Sequence, residues 1–506
     1  MPQSAWMTDV ERPRFPALDR DLTVDVAVIG GGITGVTTAF LLKQAGLSVA
    51  LLERYRCGDS ETGHTTAHLT IVTDKRIHEI AAQFGEDVAH AVLDAGGAAI
   101  DEIERNVKEQ EIACDFARVP GYLHAPWDDE ENREHSRLRR DHELAERFGC
   151  STTLLETVPL ANRFGVRFPN QALFHPLKYL AELTRRAAGG GCRIFEDTNV
   201  DSVDQGSTLH CSGGRVTCRY LVLATHVPLQ GKTSLLPALG LQTRLAAYSS
   251  YVVGARLRDP IASPGLWWDT SDPYYYLRLE SRGDAHTAVF GGEDHKTGQL
   301  DDTSKPFHAL AERLKRIAPG AAINYRWSGQ VVETNDGLPL IGETSERQFV
   351  ATGFAGNGMT FGTLSGLMIR DAVIGRSNPW KDVFEPSRIQ LRGGTWRYLT
   401  ENSDYPRYYA QDRLMPADVD SLADVPAGSG RIVTLSGEKV AAYRDPHGNL
   451  TCVSPICTHM GCIVHWNRAE RTWDCPCHGA RYSPDGKVIA GPAESPLAPH
   501  QERAAQ

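Results

Sequence analysis

The chain is 506 residues long, 41% hydrophobic and 23% charged, with a formal net charge of -10 at pH 7. That composition belongs to a globular protein large enough for two or three domains. The acidic balance excludes a general nucleic-acid binder, whose footprint is basic, and no apolar run approaches the roughly 20 residues needed to cross a bilayer.

The opening MPQSAWMTDVERPRFP has no basic region followed by an apolar stretch, so no secretory signal is expected. The cytoplasm is the expected location. The eleven cysteines are too scattered for a secreted disulfide framework, yet five of them lie after residue 450.

Taken in order, DVAVIGGGITGVTTAFLLKQAGLSVALLER reads as strand, glycine turn, helix and strand. Gly30, Gly32 and Gly35 form GxGxxG, which permits a tight turn and lets a pyrophosphate approach the backbone at a helix N-terminus. The second strand ends at Glu53, placed to accept hydrogen bonds from a ribose, with Arg54 beside it. This is a dinucleotide fingerprint, and it does not separate NAD from FAD.

Helical runs such as EDVAHAVLDAGGAAIDEIERNVKEQ follow, and then strand-like stretches. In YYYLRL a two-residue period sends Tyr275, Leu277 and Leu279 to one face and Tyr274, Tyr276 and Arg278 to the other. The second face suits a pocket for a carboxylate or amino acid, and solvent exposure suits it equally. Another strand, glycine turn and helix is written in FVATGFAGNGMTFGTLSGLMIRDAVIG. Near the end, Cys457-x-His459 and Cys475-x-x-His478 are separated by fifteen residues. Two cysteines and two histidines suit structural zinc or an iron–sulfur cluster.

Over residues 22 to 378 these motifs resemble the D-amino-acid oxidase, glycine oxidase and sarcosine oxidase superfamily of FAD enzymes. The resemblance implies that Gly353, Gly356, Asn357, Gly358 and Met359 lie along the flavin. It puts Thr65 and Thr66 of SETGHTTAHLT beside the pyrophosphate and ribityl chain, and Val200 near the adenine. His64 and His68 of that segment become candidate proton acceptors, and Tyr276 and Arg278 candidate substrate contacts.

Over residues 412 to 500 the chain resembles Rieske proteins of the cytochrome bc type. Three features favour a [2Fe-2S] cluster over zinc: the extra cysteines in CTHMGC and CPCHG, the absence of a finger helix, and GPAESPL, which resembles a covering proline loop. The resemblance implies Cys457 and Cys475 on one iron, His459 and His478 on the other, Met460 as an apolar lid, and a Cys462–Cys477 disulfide. Tyr482 matches a family hydroxyl donor, whereas Ala480 stands where a serine is usual.

The expected architecture is therefore a discontinuous α/β FAD-binding domain, Rossmann-like and of glutathione-reductase type (22–85, 166–231, 329–378). An α+β substrate domain (86–165, 232–328) is inserted in it, and a docking linker (379–411) leads to an all-β Rieske domain (412–506). The expected activity is dehydrogenation of a C–N bond in an amino acid or a secondary or tertiary amine. Electrons would pass from FAD to the cluster and then singly to a protein or quinone-like acceptor. The alternatives are an electron carrier or redox sensor with no organic substrate, and an oxygen-using oxidase with a structural cluster.

Overall fold

The computed structural model describes residues 4–8, 10–128, 133–204, 207–228, 241, 243–388 and 404–500. Two large sheets and two small ones organise the chain. The first has eight strands. Its parallel centre runs Gln348–Thr352, Gly214–Leu223, Leu22–Ile29, Val49–Leu52, Cys192–Phe195, and Leu340–Ser345 adds antiparallel at one edge. Strand Val49–Leu52 is buried at every position, as a parallel strand covered on both faces must be.

Helices Ile33–Gln44 and Gly358–Val373 pack against each other beside this sheet. Every residue from Ile33 to Leu42 is buried, which explains why this helix reads as apolar all round rather than amphipathic. Glycine is required at Gly35, where an added Cβ would lie 1.8 Å from the Gly30 carbonyl oxygen. Gly30 itself turns the chain with φ +107.

The second sheet has nine strands. Strand Gly165–Leu173 pairs here with Ala117–His124, and Ala322–Thr334 pairs here with Leu245–Leu257. The expected breaks after residues 165 and 328 thus differ from the pairing, which keeps both strands intact in one sheet. Sequence alternation marks such strands, but their partners lie far away in the chain.

The C-terminal part is all antiparallel, a three-stranded sheet (Ser429–Leu435, Glu438–Arg444, Leu450–Val453) and a four-stranded one spanning His465 to Ala490. Much of the linker, 389–403, lies outside the described residues. Its described end is the helix Asp404–Leu414. Tyr405 donates to the Met460 carbonyl at 3.4 Å, and Arg413 donates to the Gly461 carbonyl at 2.6 Å. Among the described residues no helix is long and apolar enough to cross a membrane.

The contact at Gly35 yields a direct test. Gly35→Ala forces the first turn of the helix away from Gly30 and should cost about 1–3 kcal/mol, as overpacking does. Thermal denaturation should show a lowered Tm, and the purified variant should retain less flavin than the wild type.

Candidate functional site

One cavity of about 1080 Å³ lies between the two large sheets. This exceeds the roughly 300–1,000 Å³ typical of small-ligand pockets. Gly30, Gly32, Glu53, Arg54 and Val200 line one stretch of it; Thr65, Thr66, Gly356, Asn357, Gly358 and Met359 line another. Gly35 and Gly353 do not line it. Gly35 packs on Gly30, and a Cβ on Gly353 would meet Thr334 at 2.3 Å.

The wall fits a dinucleotide carrying a flavin. Both helices start at the cavity; the Ile33 N–H of the first donates to the Thr62 hydroxyl at 3.0 Å, and the N-cap residue of the second, Asn357, makes no side-chain cap bond. Their free N–H groups and dipoles favour anionic or electron-rich ligand atoms. Asn357 is 5% exposed, and its amide oxygen is buried with no partner. Glu53 accepts from the Gly31 N–H at 2.7 Å and the Tyr55 N–H at 2.9 Å, so the carboxylate also braces its own loop. Burial raises its pKa.

His64, His68 and Tyr276 reach the cavity. His64 donates through Nδ1 to the Ser60 carbonyl at 3.0 Å. His68 lies against the rings of Trp268 and Tyr276, and burial, with nearby Arg278, lowers its pKa to about 3. It is held neutral and is a poor proton acceptor, contrary to expectation. Arg278 corrects a second expectation. It shares a face with Tyr274 and Tyr276 but is fully buried, pairs with Glu280 at 2.6 Å, and donates to the Ala67 carbonyl at 2.9 Å. Its charge is neutralised beneath the cavity floor.

The titratable groups that do face the cavity carry no sequence motif. Asp74 accepts from the Tyr274 hydroxyl at 2.8 Å and the Gly356 N–H at 2.7 Å. Ser250 donates to Asp294 at 2.5 Å. Its one proton thus used, Ser250 accepts from the Tyr276 hydroxyl at 2.7 Å. Burial pushes Asp294 up to about 7, aided by repulsion from Asp74 and Glu293 and opposed by the Ser250 bond. Alternation of polar and apolar residues flags these positions only as one face of a strand.

The cluster loops are built as a matched pair. The Cys457 N–H donates to the Cys462 carbonyl and the Cys475 N–H to the Ala480 carbonyl, both at 2.8 Å. A Cys462–Cys477 disulfide joins them, with Cα atoms 6.6 Å apart. The Cys475 sulfur lies within 4.8 Å of both disulfide sulfurs, which are bonded to each other and so are not thiolate ligands. Contact with Cys475 and the Tyr482 hydroxyl lowers the Cys457 pKa to about 7 against the effect of burial. The His459 and His478 rings are 4.8 Å apart, and burial lowers them to about 3 and about 4. Two adjacent sulfurs and two neutral imidazoles suit a Cys2His2 [2Fe-2S] centre. Met460 is 43% exposed, and the Tyr405 ring lies 5.5 Å from the His478 ring.

The two sites share a wall. Val488, Ile489, Ala490, Gly491 and Glu494 of the C-terminal part line the same cavity. Tyr55 donates to the Val488 carbonyl at 2.7 Å, and Gln330 to the Gly479 carbonyl at 2.7 Å.

Comparison with known proteins agrees with this geometry. The family described as FAD dependent oxidoreductase matches residues 25–372, and the Rieske [2Fe-2S] domain matches residues 416–501. Over 505 residues the chain is 34% identical to YhfW of Bacillus subtilis, named as a Rieske 2Fe-2S iron-sulfur protein, covering 98% of this chain and 97% of that one. It is 26% identical to the gamma-glutamylputrescine oxidoreductase of Escherichia coli, over 79% of this chain and 95% of that protein. The crystal structure of glycine oxidase from Geobacillus kaustophilus superposes with a TM-score of 0.61 at 21% identity, over 73% of this chain and 99% of that one. These matches decide for the iron–sulfur cluster over zinc.

Tyr482 is fully buried, with its hydroxyl 3.2 Å from the Cys457 sulfur. Tyr482→Phe should therefore lower the cluster's midpoint potential in an EPR-monitored redox titration. The shift should be tens of millivolts, less than the ~65 mV of a full 1.5 kcal/mol charged hydrogen bond, because the oxidised cluster feels part of it. Ala480→Ser should raise the potential by supplying a second donor. Unmoved midpoints in both variants would take this segment away from the cluster.

Proposed function

From the premise that this chain belongs to the FAD dependent oxidoreductase family and carries a C-terminal Rieske [2Fe-2S] domain, we propose that it is an amine or amino-acid dehydrogenase. Electrons taken from a C–N bond leave through the cluster. The observation that carries this reading is the buried acid–tyrosine network beside two helix N-termini in a cavity that the Rieske domain helps to close.

In this reading FAD would supply the chemistry, taking two electrons, formally as one hydride, from the carbon next to nitrogen. The helix starts at Ile33 and Gly358 hold its pyrophosphate and flavin ends, with Gly30, Gly32, Glu53 and Val200 along the rest. An amine must be neutral to release a hydride. Asp294, rather than His64 or His68, accepts its proton, since its carboxyl titrates near neutral pH. Asp74 draws the cationic nitrogen in, and Tyr274, Tyr276 and Trp268 exclude water around its carbon chain. Cys457, Cys475, His459 and His478 would hold the cluster, whose chemistry is one-electron transfer suited to a protein or quinone-like acceptor. The names of glycine oxidase and gamma-glutamylputrescine oxidoreductase support the same bond as target.

Anaerobic mixing with a panel of amines and amino acids tests the reading. Flavin bleaching followed by cluster reduction is the expected result. Bleaching with an inert cluster would indicate an oxidase, and no response to any compound would indicate a carrier. Asp294 is protonated below about 7 and ionised above it. At saturating substrate, flavin reduction should therefore accelerate as pH rises through about 7. Asp294→Asn should slow it roughly 10²–10⁴-fold and abolish that inflection; an unaltered profile would assign the proton to another group.

A further inference from the structure

Gln330 sits on strand Ala322–Thr334 and is 3% exposed, yet it lines the cavity. Its backbone N–H donates to the Glu61 carboxylate at 2.6 Å, which pins the strand to the segment carrying His64, Thr65 and Thr66. Its side-chain Nε2 donates to the Gly479 carbonyl at 2.7 Å, one residue after the cluster ligand His478. That carbonyl only accepts, so the amide orientation is fixed and Oε1 points elsewhere. Oε1 is buried with no hydrogen-bond partner.

The backbone around this contact leaves no slack. A Cβ on Gly479 would lie 2.6 Å from the Ala247 Cβ and 3.1 Å from the Gln330 Nε2. A Cβ on Gly298 would lie 2.7 Å from the Cys475 carbonyl carbon. Gln299 also holds the loop, donating to the Pro476 carbonyl at 2.9 Å, but it does not line the cavity.

We infer that Gln330 is the positioning residue that couples the two redox centres: it lines the cavity, and its side-chain amide holds the His478 loop. The inference rests on the reading that electrons leave reduced FAD through the cluster. In each transfer one electron would leave the reduced flavin and convert one ferric iron of the cluster to ferrous, and the single proton that came with the hydride would pass to solvent once over the two transfers. The second transfer follows once an external one-electron acceptor has emptied the cluster.

The test uses the full-length holoprotein and needs no substrate. The flavin is photoreduced anaerobically with EDTA as donor, and the rise of the reduced-cluster EPR signal is timed by freeze-quenching. Rates are normalised to chains holding both groups, counted from flavin absorbance and iron content. Gln330→Met should slow the rise about tenfold or more, and Gln330→Glu, which keeps the shape and loses the donor, should do the same. Gln299→Met, which removes a docking bond outside the cavity, should stay within about twofold of wild type. Amide exchange across 475–482 should rise in Gln330→Met even in cluster-loaded protein kept oxidised. A wild-type cluster that never takes electrons from photoreduced flavin would overturn the relay and the inference with it. A relay that is intact in wild type and equally fast in both Gln330 variants, or equally slowed by Gln299→Met, would overturn the inference alone.

Discussion

The wall between the cavity and the C-terminal domain is the constraint on which the rest depends. Residues Val488 to Ala490 are at once part of the small sheet beside the cluster and part of the cavity surface. Gly298 lets its backbone meet that of Cys475 and Pro476, and Gly479 lets its backbone meet the side chains of Ala247 and Gln330, where any added side chain would hold the domains apart. A flavin cavity and a cluster built against the same few residues form one electron path, and anything that separates the domains opens the cavity as well.

That arrangement explains why the two halves of the chain look so different in sequence. The FAD side needs long buried strands and helices, because a dinucleotide must be held over its whole length by backbone groups. The cluster side needs only two short loops, a disulfide between them and a covering turn. There, Thr458 donates to the Ser495 carbonyl at 2.6 Å to hold the cover in place. Deeper in this domain, Arg481 pairs with Glu470 and Asp474, a buried ion pair that ties the strand after His478 to the neighbouring hairpin. Removing one partner would strand a charge in the interior, which typically costs 3–5 kcal/mol.

Much of this was legible in the sequence because its chemistry is local. GxGxxG, the second glycine turn and the two Cys/His loops each hold their function within a few residues, so spacing locates them and the family resemblance says which cofactor each one serves. The substrate pocket was not legible in the same way. Asp294 and Ser250 are 44 residues apart, and Tyr274 and Asp74 are 200 apart; only strand pairing brings them together. Arg278 shows the opposite failure. Its alternation is right, but the period cannot reveal that Glu280, two residues on, takes its charge. His68 fails for a related reason, since proximity to the expected flavin segment says nothing of the burial that keeps its imidazole neutral.

The central claim is that flavin and cluster form one redox unit in this chain. An anaerobic reductive titration of the purified holoprotein tests it most directly, read at once by flavin absorbance and by the EPR signal of the reduced cluster. The account predicts uptake of about three electrons per chain, two into the flavin and one into the cluster, with both signals responding to a reductant that reaches only the flavin. Uptake of about two, with a bleached flavin and no reduced-cluster signal, would contradict it.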